Sequence, residues 1–497
     1  MPRPLPLKGL TRETLRALAR DGAPRLRSTA AVFTSMTALA ATSLISGPAL
    51  AGPLQTPCAL KRTPAHHSEG VDSWNTSYPR PTRPLNAVMV FLSFPDARPA
   101  TSPAELTADY FPATSRFFER ASYGRFTLRP HPRADWIRMP HPSTAYAIQR
   151  DWSAARRSAY LRDALKASDR QIDFSRYDIV YFVADPDAPG VDSDATKVVN
   201  LDTPLRADGK DIRRVVTVFE KHPPDRLVLA HETGHVFDLP DLYHRPSGDR
   251  GDWDTYVGDW DLMGSQFGLS PDLFGWHKWK LGWLDPRQVA CVAGRGSTRL
   301  SLEPLGTGPA SAGGPSQGLP GVPVPEGGAA RAVAGSKART VVGSGALTVG
   351  AGAQAVGGDG RVVGSAGQFI GAGPPALGPG AQPFGSGRGT KLAVVRTGRD
   401  SALAFEVRAS TGNDAGACTE GVLVYRIRSG AASGGGPVEV LDGHPRSEDC
   451  WDQSVYPPLA DAPVSLGESY TVPGGHAKVE VENRTAAGSW VVKITTN

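Results

Sequence analysis

A chain of 497 residues is long enough for two or three domains with cores of their own, and with 40% hydrophobic and 21% charged residues it is neither a disordered polymer nor a membrane bundle. The net charge of +5 suggests a nucleic-acid or anionic-surface binder, but the excess sits in residues 1–51, where seven Lys and Arg face two acidic residues. The rest of the chain is formally neutral, which excludes that class and any nucleic-acid partner for a mature protein lacking this stretch.

That basic stretch is followed by an apolar, uncharged run from Ser28 to Leu50 and by Ala49-Leu50-Ala51. A positive region, an apolar core and an A-x-A site predict a secretory signal peptide over residues 1–51, cleaved after Ala51. The chain is therefore expected to be secreted, with no stable membrane insertion after cleavage. Residues 52–84 form an N-terminal segment that could serve as a short propeptide. Leu85–Pro95 is an apolar, β-rich run that predicts a buried strand, and Leu106–Ala121 has helical periodicity ending at Ser122-Tyr123-Gly124. Arg125–Arg129 reads as a strand, Asp151–Ala167 as an amphipathic helix, and Tyr177–Ala184 as a second buried strand. This alternation predicts an α/β or α+β core, taken here as α+β, in a domain over residues 85–290. With Asp225 as its N-cap, Arg226–Phe237 predicts a further helix, stopped at Leu239-Pro240.

The remaining residues, 291–497, carry short apolar-alternating runs: Arg299–Pro304, Thr390–Arg396, Ala402–Arg408, Gly421–Arg428, Val438–Leu441, Ala477–Val481 and Ser489–Thr495. They predict a β-sandwich-like domain. It is interrupted between Gly306 and Thr390 by a stretch holding 25 of the 56 glycines and no Trp or Tyr, which predicts a disordered insert over 306–390. Four cysteines remain beyond the signal region, and an even count in an exported chain favours two disulfides. Three connectivities exist; the one that closes the short loop Cys418–Cys450 leaves Cys58–Cys291.

The chemistry concentrates in Asp225–Met263. His231-Glu232-Thr233-Gly234-His235 places two imidazoles one helical turn apart, where both can reach one metal ion, with Glu232 beside the first. A catalytic zinc site wants a third protein ligand and an open position. Asp241, six residues past His235, fits H-E-x-x-H-x-x-G-x-x-[HD], with His244 or a distant Glu as the competing choices. Asp238 stands where that pattern has glycine, and Asp is among the few other residues that tolerate φ > 0. Downstream, Met263 is one of only five methionines and follows Gly258-Asp-Trp-Asp-Leu. Tyr243 or Tyr256 could donate to an oxyanion. Asp249, Asp252, Asp254, Asp259 and Asp261 offer hard oxygen ligands suited to Ca²⁺, without the EF-hand spacing. Cys58, just before His66-His67, could cap a metal in a latent form; a disulfide is the simpler account.

These residues resemble the immune inhibitor A-like secreted metallopeptidases of the metzincin group. The resemblance covers His231–Tyr243, Val257–Met263, Trp276–Trp283, Phe94-Pro95-Asp96 and Phe117–Gly124, spanning roughly Leu85 to Leu284. It implies a metzincin-like catalytic domain followed by a β-rich one, and a Met-turn at Met263. It further implies a zinc endopeptidase with His231, His235 and Asp241 as ligands, acting on protein or peptide substrates through zinc-activated water with Glu232 as general base. The competing expectations are a zinc hydrolase of non-peptide amides and a catalytically inactive secreted binding protein. The departure from glycine at Asp238 bears on the turn that presents Asp241.

Overall fold

The computed structural model describes residues 57–225, 227–245, 252–268, 271–308 and 387–497. The expected signal peptide and most of the expected Gly-rich insert lie outside them. The described residues form a mixed α/β structure of fourteen strands in three sheets and a few helices.

The first sheet is built from β1 (Leu85–Ser93), β2 (Leu128–Arg138), β3 (Ile179–Ala184), β4 (Lys197–Ala207) and β5 (Lys210–Val218), in the order β2-β1-β3-β5-β4. Every pairing is parallel except that of β4, which runs antiparallel to β5 at the sheet edge. Helices α1 (Pro103–Tyr110), α2 (Ala113–Ala121), α3 (Ser143–Tyr146) and α4 (Ala154–Ser168) lie between its strands in the chain, followed by α5 (Val228–Val236) and α6 (Gly275–Lys280). The continuous helix expected over Leu106–Ala121 is two helices, because Pro112 lacks the amide that would continue the first and instead precedes the second. Ser102 caps α1 in a reciprocal box with Glu105. Sequence reading missed β4 and β5.

The C-terminal half supplies two more sheets. β6 (Val289–Cys291), β8 (Leu392–Arg396), β9 (Ser401–Arg408), β10 (Gly421–Arg428) and β11 (Val438–Leu441) make one; β7 (Gly296–Leu302), β12 (Ser469–Thr471), β13 (Ala477–Arg484) and β14 (Trp490–Thr496) make the other. Alternating residues decide the layering, since neighbours along a strand face opposite ways. Leu403, Phe405, Val422 and Val424 pack with Val479, Val481, Val492 and Ile494 of the second of these sheets, giving the sandwich expected from the strand pattern. The residues between them, Ala402, Ala404, Leu423 and Tyr425, join the core that also holds Met89, Tyr181 and the apolar side of α5. The β6–β11 sheet is thus buried on both faces, one against its partner sheet and one against the N-terminal half.

Buried charges stitch this second contact. Arg408 of β9 is fully buried; its guanidinium donates to Asp414 at 2.7 Å, to the Glu406 carboxylate at 3.2 Å and to the Trp260 carbonyl at 2.8 Å. Lys278 of α6 bonds Asp272 at 2.8 Å, and the Asp272 amide bonds Asp414. The expected pairing Cys58–Cys291 is present, as is Cys418–Cys450. From Pro57 onward the N-terminal segment is woven into the core: Leu60, Ser68 and Glu69 are buried, and Trp276 and Trp283 donate their indole N–H groups to the carbonyls of Glu69 and Pro81.

Glu69 also completes a buried trio. His277 Nε2 lies 2.9 Å from Glu69 Oε1 and its Nδ1 lies 3.0 Å from Asp261 Oδ2, with all three side chains sealed from solvent. Burial opposes a charge on this ring, but the two carboxylates outweigh it and raise the imidazole to about 9. The folded state therefore holds this proton more tightly than the unfolded chain, whose His titrates near 6.5. Its contribution to stability is full below about pH 6.5 and is lost as pH climbs through about 9. Denaturant unfolding at pH 6 and pH 10 should show His277→Gln flattening the alkaline decline of the wild type, by about 3 kcal/mol on the linkage relation; parallel declines in both proteins would contradict the trio's charge state.

Candidate metal centre

The helix carrying the H-E-x-x-H residues begins at Val228, two residues later than expected. Its cap is Leu227, at φ 59°, rather than Asp225. The Asp225 carbonyl accepts the Val228 amide at 3.3 Å, and the residue lines the wall of a cleft. All nine residues of α5 are buried. Thr233 ties the helix to the centre of the first sheet: its hydroxyl donates to Leu229 O at 2.6 Å, so the Tyr181 hydroxyl donates to it, at 2.9 Å.

Both imidazoles are oriented by main-chain carbonyls. His231 Nδ1 is 2.9 Å from Leu262 O and His235 Nδ1 is 2.8 Å from Leu239 O. A carbonyl only accepts, so each Nδ1 carries a hydrogen and each Nε2 is the nitrogen turned into the site. The two Nε2 atoms converge on Asp241 Oδ1, at 3.6 Å from His231 and 2.9 Å from His235. Among the described residues this is the one group of three such side chains able to hold a metal, its ligand atoms all within 4.8 Å of one another. His244 and the acidic loop do not join it: Asp261 is engaged by His277 and by the amides of Met263 and Phe274, Asp259 accepts from Val455 N, and Asp249 lies outside the described residues.

Two imidazoles and one carboxylate lining a cleft make a donor set able to hold a metal ion. Burial disfavours a charged His235 ring, yet Asp241 raises it to about 9, and burial notwithstanding, the histidines hold the Asp241 carboxyl well below its ordinary range. Glu232, adjacent to His231, is buried at the cleft floor; burial pushes its carboxyl up, and its Oε2 accepts the Val198 amide of β4 at 2.6 Å.

Asp238 stands at φ 65°, so the chain leaves the helix with the left-handed turn that the missing glycine would have made. Its carboxylate has a second task, accepting from Arg62 and from His67 Nδ1 at 2.9 Å, while Lys280 Nζ donates to its carbonyl at 2.7 Å. The His67 ring stacks on His235 with centroids 5.7 Å apart. Burial lowers the His67 ring to about 4 despite Asp238, so it is a neutral spacer beside the site. Cys58, bonded to Cys291, has no thiolate to offer, and the latent cap expected as an alternative does not form.

Met263 lies fully buried beneath the helix, and its carbonyl accepts from Leu242 N at 2.9 Å, next to Asp241. Tyr243 lines the cleft with its ring stacked near His231, centroids 6.3 Å apart, and burial keeps its phenol protonated; Tyr256 packs against His244 and is not part of the cleft lining. The cleft holds about 850 Å³. Sequence reasoning missed Val198, Glu69 and Ser433, whose hydroxyl bonds Asp241; none sits in a patterned motif. Compared with known proteins, the chain matches no family model and no curated sequence.

The glycine of H-E-x-x-H has a steric reason: a Cβ at Gly234 would sit 2.5 Å from Met263 Sδ and 3.1 Å from its Cε. Alanine would gain helix propensity of about 1 kcal/mol at this position but must push the methionine aside. Gly234→Ala is expected to destabilise by about 1–3 kcal/mol. Equilibrium unfolding checks this; a stabilised variant would show that the methionine has room to move.

Proposed function

We propose that the protein is a secreted, zinc-dependent endopeptidase in which His231, His235 and Asp241 hold the metal and Glu232 is the general base. The observation that carries this reading is the pair of Nδ1-anchored imidazoles whose free nitrogens converge on one carboxylate oxygen, with a buried glutamate beside them at the floor of a cleft. Bound there, zinc would polarise a scissile carbonyl and acidify a water molecule. Glu232 would take the proton and pass it to the leaving amine; its elevated proton affinity, caused by burial, suits both acts. Tyr243, protonated and at the cleft wall, is the nearest phenol able to donate to a developing oxyanion.

A peptide substrate is supported by the sheet edge. β4 is an edge strand, and Val198 and Asn200 line the cleft, with the Val198 amide turned toward Glu232 rather than toward β5. An extended chain can add to such an edge through main-chain hydrogen bonds. The two disulfides support an oxidising compartment, in keeping with export. Among the described residues no helix is long and apolar enough to cross a membrane.

The test pairs metal content with proteolysis of unfolded casein. The wild type should carry one zinc per chain and cleave, while Glu232→Gln should keep the zinc and lose activity by roughly 10²–10⁴-fold. Zinc without proteolysis in the wild type, together with turnover of small amides, would replace the peptidase by a hydrolase of another substrate. A wild type that binds no zinc would remove the enzyme reading.

A further inference from the structure

Asp241 is held by a loop from the other half of the molecule. The connection between β10 and β11 runs Ser429-Gly-Ala-Ala-Ser433-Gly-Gly-Gly436, and its Ala432 and Ser433 reach the cleft wall. One hydroxyl makes two bonds there. Ser433 Oγ accepts the Asp241 amide at 2.8 Å and donates to Asp241 Oδ2 at 3.0 Å, while the Gly434 amide donates to the Asp241 carbonyl at 2.9 Å. With Oδ2 bound to the serine, Oδ1 is the oxygen left facing the two histidine nitrogens.

The loop is fixed at its base. Thr63 and Ser68 of the N-terminal segment both donate to the Ser429 carbonyl, at 2.6 and 2.8 Å, and Arg428 closes the loop through the Gly436 carbonyl at 2.8 Å. The serine therefore comes to Asp241 from a braced position. A ligating carboxylate whose second oxygen is hydrogen-bonded is confined to one orientation, and loss of such an outer partner typically costs 10–100-fold in metal affinity or activity.

We propose that Ser433 is a positioning residue for the third metal ligand, so that the C-terminal β-rich half completes the metal site. This rests on the reading of His231, His235 and Asp241 as zinc ligands. It assigns the second half of the chain a part in the chemistry: the serine selects which oxygen of Asp241 faces the metal and freezes its rotation.

The experiment measures zinc affinity of the full chain by chelator competition, with the visible spectrum of the Co²⁺-loaded protein as a second readout, for wild type, Ser433→Ala, Ser433→Thr and His231→Ala. Ser433→Ala should bind zinc roughly 10–100-fold more weakly and show an altered cobalt spectrum, with the unfolding midpoint of the metal-free protein unchanged. Ser433→Thr, which keeps the hydroxyl, should recover most of the affinity. Wild-type affinity and spectrum in Ser433→Ala, while His231→Ala loses zinc, would overturn the role of the serine and leave the metal site standing. A weakened Ser433→Ala whose metal-free form is destabilised to the same extent, and which threonine does not rescue, would reduce the serine to a packing residue. Absence of zinc from the wild type would overturn both readings.

Discussion

A single carboxylate sets the geometry on which the site depends. Asp261 is fully buried, and a buried carboxylate is tolerable only when its lone pairs are filled. One oxygen accepts the Met263 amide; the other accepts the Phe274 amide and His277, while its carbonyl receives Gly264 and Ser265. These bonds fix a tight turn whose next two carbonyls are then in place. Leu262 O orients His231 through its Nδ1, and Met263 O holds the amide of Leu242, next to Asp241. The orientation of an imidazole and the position of a ligand thus both follow from satisfying one buried charge. His277 and Glu69 extend the same logic to the N-terminal segment.

Around this turn the protein is assembled as layers that share cores. The β6–β11 sheet has no solvent face, which explains why its strands read as near-continuous apolar runs while those of the outer sheet alternate, as in Ala477–Arg484. Across its inner face the contact with the N-terminal half is not purely apolar. Arg408, Asp414, Asp272 and Lys278 form a paired network, and removal of any one partner would strand an opposite charge out of water. Such a network adds little net stability over apolar packing, and its charges are satisfied in this docking of the two halves. That docking is what brings the β10–β11 loop over Asp241.

Much of this was legible from residue order because local chemistry and tertiary environment agree. Gly421–Arg428 and Val438–Leu441 are strands with the bounds their apolar runs suggest, and the spacing His231, His235, Asp241 does bring three ligating atoms together. What escaped notice has physical reasons. β4 is a polar edge strand, exposed along much of its length, so its alternation is weak; β5 begins with Lys210 and Asp211 and hides its apolar half until Val215. Asp225 has the right chemistry for a cap, but the backbone enters the helix through Leu227, a conformation no propensity favours. Ser433 sits in a run of Gly, Ala and Ser that is indistinguishable from a linker, and only the three-dimensional return of the chain gives it a partner 192 residues away. Asp238 was visible as a departure from glycine; that its carboxylate would gather Arg62 and His67 was not.

The two disulfides have a consequence for survival among proteases. His231, Glu232, His235 and Asp241 all lie inside the covalent loop closed by Cys58 and Cys291, and the β10–β11 loop with Ser433 lies inside the one closed by Cys418 and Cys450. A single cut within either loop leaves both fragments tethered, so a nick in the cleft wall releases nothing. The stretch between residues 292 and 417, which contains the Gly-rich run, is enclosed by neither. A cut there separates the chain into two pieces joined only by noncovalent contacts, chiefly β7 in its sheet, β6 beside β8 and the charged contact beneath β9. Cleavage there would be felt first as loss of cohesion between the halves.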